Sequence, residues 1–459
     1  MKRVCCLLCL SLLFSGCSKI LDVNPETGMT VSAKHFKDFK ELINSKQFMI
    51  SNLDIGNMMS DDVLLFQYST YSNDISFYQK RAYFFMDPFW QTASVDEIYE
   101  SLYGFIAQCN MIIKEVPNLS EGTAQERDQL IAQAKIHRAY FYFQLVNLYG
   151  RNYNASTANS DLAVPLVLNL DPNQLPSRAS VADIYALIEQ DLNDAYATET
   201  LPMLSADIQY PGRIVASALL AKVHLQKGEF EKAETFAKAT MEQNSNLIDY
   251  AYLDSTKVAF PSSLLLLSTQ PELIFPKVAE DGIITTYAGN LQLSKELSAL
   301  FEASDLRVKN FYTNMGSYKV YKSANTSNGR VVRYRNSIGV PEMMLIAAEC
   351  EARKGAIASA MNRVNAIREK RFYSKDFKKL SATTASEALQ HVLDERRREL
   401  VCVGSTRLFD LKRLAIVNGK PDTIKRWNDN GSLAQEIPTN SDKLIVPITP
   451  KVLTFNPNL

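Results

Sequence analysis

The chain has 459 residues, of which 46% are hydrophobic, so it can bury a core as one large domain or two to three packed lobes. Its 50 basic and 50 acidic residues balance, and this leaves no excess of positive charge for binding nucleic acid. The composition therefore indicates a globular protein and argues against a nucleic-acid-binding protein or a disordered stalk.

The first element along the chain is a short apolar leader that ends at Cys17. It has a basic start at Lys2 and Arg3, an apolar run over residues 4–14 and two small residues just before the cysteine. This pattern is typical of a secretory signal peptide, and the position of the cysteine makes it similar to a bacterial lipoprotein signal. We predict that residues 1–16 are removed and that Cys17 is acylated, for instance with palmitate, so that lipid chains hold the protein at a membrane. An ordinary signal peptide that happens to contain a cysteine is the alternative.

After this processing three cysteines remain besides the acylated one: Cys109, Cys350 and Cys402. Cys350 and Cys402 fall in apolar patterns with helical spacing, where a free cysteine packs as a small hydrophobic residue. We expect no disulfide framework, and a single bridge between Cys350 and Cys402 stays open as an alternative.

Most of the mature sequence carries helical periodicity, with apolar residues three and four positions apart. Start signals agree with this pattern, since Ser180 precedes one run with Asp183 three residues on, and Pro341 opens another. The fold class predicted is mainly α. The predicted helical runs cover about 92–116, 124–149, 180–197, 213–243, 341–370 and 385–401.

Two of these runs are Ala-rich and share an internal glycine, Gly228 in the first and Gly355 in the second. Small residues let two helices lie close together in a hairpin, and both segments resemble tetratricopeptide repeats in this respect. A regular 34-residue array is not present, so a simple solenoid is not expected. We predict a scaffold of helical hairpins over about 92–243 and 341–414.

Between the helical runs lie stretches rich in turn residues, about 50–90 and 244–338, with short β-type runs at 264–267 and 331–332. Long connections are uncommon in compact proteins and usually carry function. These stretches predict long connections with short β-strands, and the family resemblance described below implies that they form an irregular, loop-rich lobe with the binding face.

Aromatic residues are concentrated in residues 66–90, where ten rings occur, against 10% aromatic residues in the whole chain. Sugar faces pack on such rings, and a tyrosine hydroxyl can hydrogen-bond at the ring edge. The alternative is that most of these rings pack the lobe, and Trp90 is expected in the core. The candidate ligand-contacting residues are Tyr68, Tyr71, Tyr78, Arg81 and Tyr287.

A run of charged residues, 394–399, could form either a basic anion site or a structural ion network. Helical spacing brings Asp394 and Glu395 close to Arg398, so opposite charges meet along one side and the structural network is favoured. Arg407, Asp410 and Arg413 repeat this pattern at three-residue spacing.

No motif in the chain points to catalysis. Asp61 and Asp62 are adjacent, so they diverge in direction and do not form a catalytic pair; one of them is predicted to be a turn or cap residue. The four histidines lack metal-ligand spacing, and His137 and His224 are expected to pack in helices. We predict no catalytic residue, no metal site and no cofactor.

The order of several segments resembles the SusD/RagB family of outer-membrane lipoproteins over nearly the whole mature chain. The resemblance begins at the lipidation site and continues to the C-terminus. The matching segments include CSKILDVNPET, MMSDDV at 58–63, AKIHRAYFYFQLVNLYG at 134–150, GRIVASALLAKVHLQKGEFEKAETFAKA at 212–239, ERRRELVCVGSTRLFDLKRL at 395–414 and LIVPITPKVLTFNPNL.

This resemblance implies one domain over 17–459, anchored in the outer membrane and exposed at the cell surface. It implies a receptor that caps a SusC-like TonB-dependent transporter and passes it an oligosaccharide. A peptide-binding receptor like RagB is the alternative within the family. An exported glycan-active enzyme and a tetratricopeptide-type adaptor that binds only protein are the alternatives outside it.

Overall fold

The structure is a computed structural model, and it describes residues 33–49, 51, 54–65, 77–169, 171, 173–252, 271–277, 291–315, 318–321 and 336–459. Cys17 and the predicted strands at 264–267 and 331–332 lie outside the described residues. Among the described residues no helix combines the length and the apolar character needed to cross a bilayer.

The described part is mainly helical, so the predicted fold class is confirmed. Its α-helices are α1 (Phe36–Ile43), α2 (Asp54–Met59), α3 (Phe77–Phe84), α4 (Glu97–Glu115), α5 (Ala124–Tyr149), α6 (Val181–Ala197), α7 (Arg213–Lys227), α8 (Phe230–Gln243), α9 (Lys295–Leu300), α10 (Leu306–Phe311), α11 (Val340–Arg353), α12 (Ile357–Glu369), α13 (Ala385–Glu399), α14 (Thr406–Val417) and α15 (Pro450–Phe455).

The capping residues explain where the predicted helices begin. Ser180 caps α6 by accepting a hydrogen bond from the Asp183 backbone at 3.0 Å, as the sequence pattern predicted. The helix predicted from residue 92 starts instead at Glu97, because Asp96 accepts from the amides of Ile98 and Tyr99 and fixes the N-terminus there. Apolar periodicity alone does not determine the residue at which a helix begins, and the capping side chains do.

The two glycine interruptions are confirmed as helix ends. Gly228 (φ 77°) and Gly355 (φ 84°) adopt the left-handed conformation that terminates a helix, and they divide the predicted runs into α7–α8 and α11–α12. The hairpins pack on each other because α8 lies against α11, where Lys354 Nζ is 2.6 Å from Glu234 Oε1. Helices α4 to α7 continue this layer, each against the next.

The described strands are short and form one four-stranded antiparallel sheet and three two-stranded pairs. The sheet has the order β1-β5-β7-β6, and the pairs are β2-β3, β4-β8 and β9-β10. The strands are β1 (Val63–Leu65), β2 (Leu162–Pro165), β3 (Arg178–Ser180), β4 (Leu273–Phe275), β5 (Leu291–Leu293), β6 (Tyr312–Met315), β7 (Tyr318–Tyr321), β8 (Ile338–Gly339), β9 (Thr423–Trp427) and β10 (Leu433–Pro438).

The structure corrects the sequence analysis after residue 400. The last predicted helical run was extended to 401, but α13 ends at Glu399, and Cys402 lies in a turn with φ 52° instead of a helix. Helix α14 then follows within and just beyond the predicted scaffold, and the hairpin β9-β10 is an element that the sequence analysis did not predict. Cys109, Cys350 and Cys402 are buried thiols that form no disulfide, so the alternative of a Cys350–Cys402 bridge is wrong.

Candidate functional site

The four-stranded sheet joins the two loop-rich stretches singled out in the sequence. Strand β1 belongs to the first stretch and β5 to the second, and they pair with Leu65 directly opposite Leu291. Residues 66–76 follow Leu65 in the chain, and residues 278–290 precede Leu291. Both stretches are therefore attached to the same end of one strand pair.

Three of the candidate residues fall in those connecting segments. Tyr68, Tyr71 and Tyr287 lie outside the described residues. Along the chain, Tyr68 is three residues after Leu65 and Tyr287 is four residues before Leu291. Their assignment as ligand contacts stays a prediction.

Helix α3 carries the two other candidates, Tyr78 and Arg81, which are three residues apart and so lie on one face of the helix. Both side chains are half-buried. The Tyr78 ring packs against Trp90 with 5.3 Å between ring centroids, and Arg81 Nε donates to the Pro88 carbonyl oxygen. Both residues help to hold the loop after α3, so they belong partly to the packing of this region.

Trp90 lies in the core, as predicted. Only 5% of its surface is exposed, and its indole Nε1 donates to the Pro447 carbonyl oxygen at 2.6 Å. The ring therefore fixes the C-terminal segment beside α3 and is not an open platform.

Arg426 on β9 is a positioning residue of this region that the sequence analysis missed. Its guanidinium lies 4.3 Å from the centroid of the Tyr83 ring and 5.1 Å from that of Phe85. It donates to the carbonyl oxygens of Tyr83 (2.5 Å), Met58 (3.0 Å) and Ser60 (2.8 Å). One side chain thus ties the hairpin to α3 and to the end of α2, and alternation along β9 gives no sign that this arginine is the buried one.

Asp61 and Asp62, just before β1, join the lobe to the scaffold. Arg407 on α14 donates to both carboxylate oxygens of Asp61, at 2.6 and 2.8 Å. Arg397 on α13 donates from Nε to Asp62 Oδ1 at 2.6 Å and from Nη2 to the Asp61 carbonyl oxygen at 3.0 Å. We call these four side chains the joint.

Both aspartates lie in the bend between α2 and β1, which agrees with the predicted turn position, and the joint adds ion pairs that the sequence did not indicate. Burial alone would raise the pKa of Asp61, but the positive charge of Arg407 outweighs it and holds this pKa below its ordinary value. For Asp62 burial is the stronger influence, and its pKa is raised. Two arginines engage these carboxylates, which makes the joint a structural connection and not an acid–base pair.

The charged run on α13 is a structural ion network, as favoured from the sequence. Glu395 accepts from Arg398 at 2.6 Å and from Arg307 on α10 at 2.7 Å. Burial acts against ionisation of Glu395, but these arginines and Arg368 lower its pKa to about 2. The predicted approach of Asp394 to Arg398 is wrong, since Asp394 instead accepts from Gln390.

The network continues into α14. Arg413 donates to Asp410 at 3.0 Å, as the three-residue spacing predicted, and also to Glu349 on α11 at 2.7 Å. Burial works against ionisation of Asp410, but Arg396 and Arg413 lower its pKa to about 2. Arg407 departs from the predicted repeat because it binds Asp61 instead.

The histidines expected to pack in helices do so. His137 is 2% exposed and lies among the rings of Phe48, Phe141 and Phe275. His224 is 3% exposed, stacks on Phe236 and hydrogen-bonds Glu229. Within the described ranges no group of three or more His, Cys, Asp or Glu side chains could hold a metal ion.

Two family profiles match the sequence. Residues 19–225 match the SusD-like family described as starch-binding and associating with the outer membrane, and residues 277–459 match the SusD family, which is also called SusD/RagB. The chain is 24% identical over 387 residues to SusD-like protein P2 of Formosa agariphila, an alignment covering 71% of this chain and 72% of that protein.

Solved structures show the same fold. A SusD superfamily protein from Bacteroides thetaiotaomicron superposes with a TM-score of 0.72 at 20% identity, over 93% of this chain and 99% of that one. A SusD-like carbohydrate binding protein from Bacteroides vulgatus superposes with a TM-score of 0.66 at 19% identity, over 93% and 97% of the two chains.

Proposed function

The chain belongs to the SusD/RagB family, and on that premise we propose that it is a cell-surface lipoprotein that captures a glycan and passes it to a TonB-dependent outer-membrane transporter. The description of the family as starch-binding supports the ligand class, and its association with the outer membrane supports the location. Capture and transfer are binding functions, so no bond of the ligand is broken.

The observation that carries this proposal is the pairing of Leu65 with Leu291. It attaches the segment with Tyr68 and Tyr71 and the segment with Tyr287 to one end of the same sheet. Helix α3 is connected to the chain just before β1 by Arg426, which donates to the carbonyl oxygens of Tyr83 and Ser60. An oligosaccharide in this region would pack its sugar faces on tyrosine rings and direct hydroxyls toward Arg81 and other polar side chains.

The charge arrangement of the described residues also favours binding over hydrolysis. A glycosidase needs two carboxyl groups placed across a substrate, one of them ready to give or take a proton. The acidic residues nearest to β1, Asp61 and Asp62, are instead bound by arginines that belong to the scaffold. They position the strand that leads into the candidate site.

The proposed anchor and partner follow from the family and from the leader. Acylated Cys17 would anchor the protein in the membrane, and residues 18–30 would link the lipid to the folded part. A SusC-like transporter beneath the lobe would receive the ligand. We propose this arrangement for the mature chain, 17–459.

Titration of the purified, detergent-solubilised protein with a panel of oligosaccharides and peptides, followed by calorimetry, tests the ligand class. Binding to one glycan class, weakened at least tenfold by Tyr71→Ala and by Tyr287→Ala, is the expected result. Binding to peptides alone would identify a RagB-like receptor, and release of reducing ends from the glycan would show an enzyme. Either outcome contradicts the proposal.

Co-purification from outer membranes tests the partner and the anchor. The wild-type protein should bring a large β-barrel protein with it, and Cys17→Ala should move the protein to the soluble fraction. Recovery of the wild-type protein alone from every mild detergent extract would contradict the transfer step, while leaving the glycan titration to be judged separately.

A further inference from the structure

The joint borders a small, partly open cavity that the proposed function does not use. It lies where the chain before β1 meets α13 and α14, and its volume is about 10 Å³. Its walls combine charged groups with aliphatic side chains. The residues that line it are Asp62, Leu393, Arg396, Arg397, Leu400, Thr406, Arg407, Asp410 and Leu414.

Two charged side chains of the wall have an atom without a protein partner among the described residues. Asp62 is 1% exposed and uses Oδ1 for Arg397, while its Oδ2 accepts no hydrogen bond. Arg396 is 5% exposed and uses Nε for Asp410, while its Nη1 donates none. A buried polar atom left in this condition costs about 1–3 kcal/mol, and more when it is charged, so each needs a partner.

The charge of the wall decides what kind of partner fits. Arg396, Arg397 and Arg407 supply three positive charges, and Asp62 and Asp410 supply two negative ones. Among their neighbours, Asp61 beside Arg407 and Glu342 beside Arg396 add two negative charges, and Arg413 beside Asp410 adds one positive charge, so four charges of each sign meet here. The balance favours neither an anion nor a cation, and it favours a neutral molecule that both donates and accepts hydrogen bonds.

We propose that this cavity is a hydration site that holds one ordered water molecule between Asp62 Oδ2 and Arg396 Nη1. The water donates to the carboxylate oxygen and accepts from the guanidinium, and the hydroxyl of Thr406 on the wall supplies a third contact. About three hydrogen bonds is the usual number for a buried water, and a volume of about 10 Å³ corresponds to one such molecule.

The water adds a link to the joint that the side chains alone do not make. The direct contacts run from Asp61 and Asp62 to Arg407 and Arg397, whereas Arg396 faces Asp410 within the scaffold. A bridging water connects Asp62 to Arg396, and through it to the ion network of α14. The lobe and the buried network of the scaffold thereby share one hydrogen-bonded system.

A high-resolution crystal structure of the wild-type protein, with a second crystal soaked in bromide, tests the site. We expect one water peak about 2.7–3.0 Å from both Asp62 Oδ2 and Arg396 Nη1, and no anomalous signal in the cavity. Absence of density there, or a bromide peak, would overturn the inference.

Thr406→Val supplies a second test, since it keeps the shape of the side chain and removes the hydroxyl. The water peak should weaken or move in this variant. Thr240→Val is the control, because Thr240 is equally buried but bonds Ser217 and Phe236 in α7 and α8. An unchanged water in Thr406→Val would show that the hydroxyl is not a ligand, and its disappearance in the control would show that the site does not depend on the wall described.

Discussion

The helical scaffold and the loop-rich lobe are held in place by different kinds of contact. In the scaffold, helices that follow one another in the chain pack side by side, as α4 to α8 do, and the ion network of α13 is buried among them. In the lobe, the described strands β1 and β4 to β8 have two to four residues. The segment that leads into β1 is bound by Arg397, Arg407 and Arg426, which lie more than 300 residues away in the chain, and Val63 and Leu65 of β1 pack in the common core. Packing between neighbouring helices dominates the scaffold, whereas this part of the lobe depends on partners distant in the sequence.

The strongest test of this difference is to measure the unfolding free energy at acid pH. Glu395 and Asp410 are fully buried in the scaffold, and both have pKa values lowered to about 2. A lowered carboxyl pKa contributes stability that is present above the unfolded-state pKa, near 4, and is lost as the pH falls through 2. The two groups together should cost about 5–6 kcal/mol of unfolding free energy between pH 5 and pH 2, at 1.36 kcal/mol per pKa unit.

Urea titrations followed by circular dichroism at several pH values measure this loss. Most of it should fall below pH 4. A free energy of unfolding that stays constant between pH 4.5 and 2.5 would mean that the scaffold does not depend on these charges.

The next largest effect is expected from breaking one ion pair of the scaffold. Arg413 and Glu349 are both fully buried, so Arg413→Met leaves a carboxylate without its main partner in the interior. We expect a loss of about 3–5 kcal/mol in unfolding free energy, with one cooperative transition. The control is Lys425→Met, which removes an ion pair with Glu436 that is half exposed and should cost less than about 1 kcal/mol. Equal losses in the two variants would contradict the ranking.

A smaller and more local effect is expected at the joint. Arg407→Met removes two hydrogen bonds to Asp61, while Arg397 still pairs with both aspartates. The expected cost is about 2–3 kcal/mol, below that of a fully buried pair, because the Asp61 side chain is one-fifth exposed and keeps Arg397 as a partner. Limited proteolysis should show faster cleavage in 50–90 with the helical circular dichroism signal retained. If cleavage in 50–90 becomes faster only when the helical signal is also lost, the lobe and the scaffold unfold as one unit.

The smallest effect on stability separates the rings that bind from the rings that pack. Because Tyr78 is half-buried against Trp90, Tyr78→Ala should lower the unfolding free energy by about 1–2 kcal/mol. The prediction that Tyr71 is a ligand contact implies that Tyr71→Ala changes stability by less than about 0.5 kcal/mol and weakens glycan binding. Equal losses of melting temperature in the two variants would place Tyr71 in the packing as well.

The scaffold could be predicted from the sequence because its signals are local. The apolar spacing of 124–149 predicts α5 with the correct residue at both ends. Gly228 and Gly355 mark the turns of the two hairpins because each adopts the left-handed backbone conformation that ends a helix. Cys402 shows the limit of this approach, since apolar neighbours suggested a helix where the chain turns.

The joint and the Arg426 contacts could not be predicted, because their partners are far apart in the chain. Asp61 and Asp62 looked like turn residues since nothing near them in the sequence carries a positive charge that would pair with them. Arg397, which binds Asp62, lies in the charged run 394–399, whose spacing predicts pairing within the helix. This run forms both a pair within α13 and a pair with the distant Asp62. A contact between two regions that are distant in the chain produces no periodic spacing in the sequence, so a pattern of residues cannot predict it.

Arg426 has a consequence for how the family can vary in sequence. Its acceptors on the lobe are backbone carbonyl oxygens at Met58, Ser60 and Tyr83, and every amino acid offers such an oxygen. Substitution at positions 58 and 60 would leave these acceptors in place, whereas any replacement of the arginine would lose all three bonds. The three hydrogen bonds of Arg426 are therefore independent of which side chains stand at these buried positions, whereas its contacts with the rings of Tyr83 and Phe85 require an aromatic residue at each.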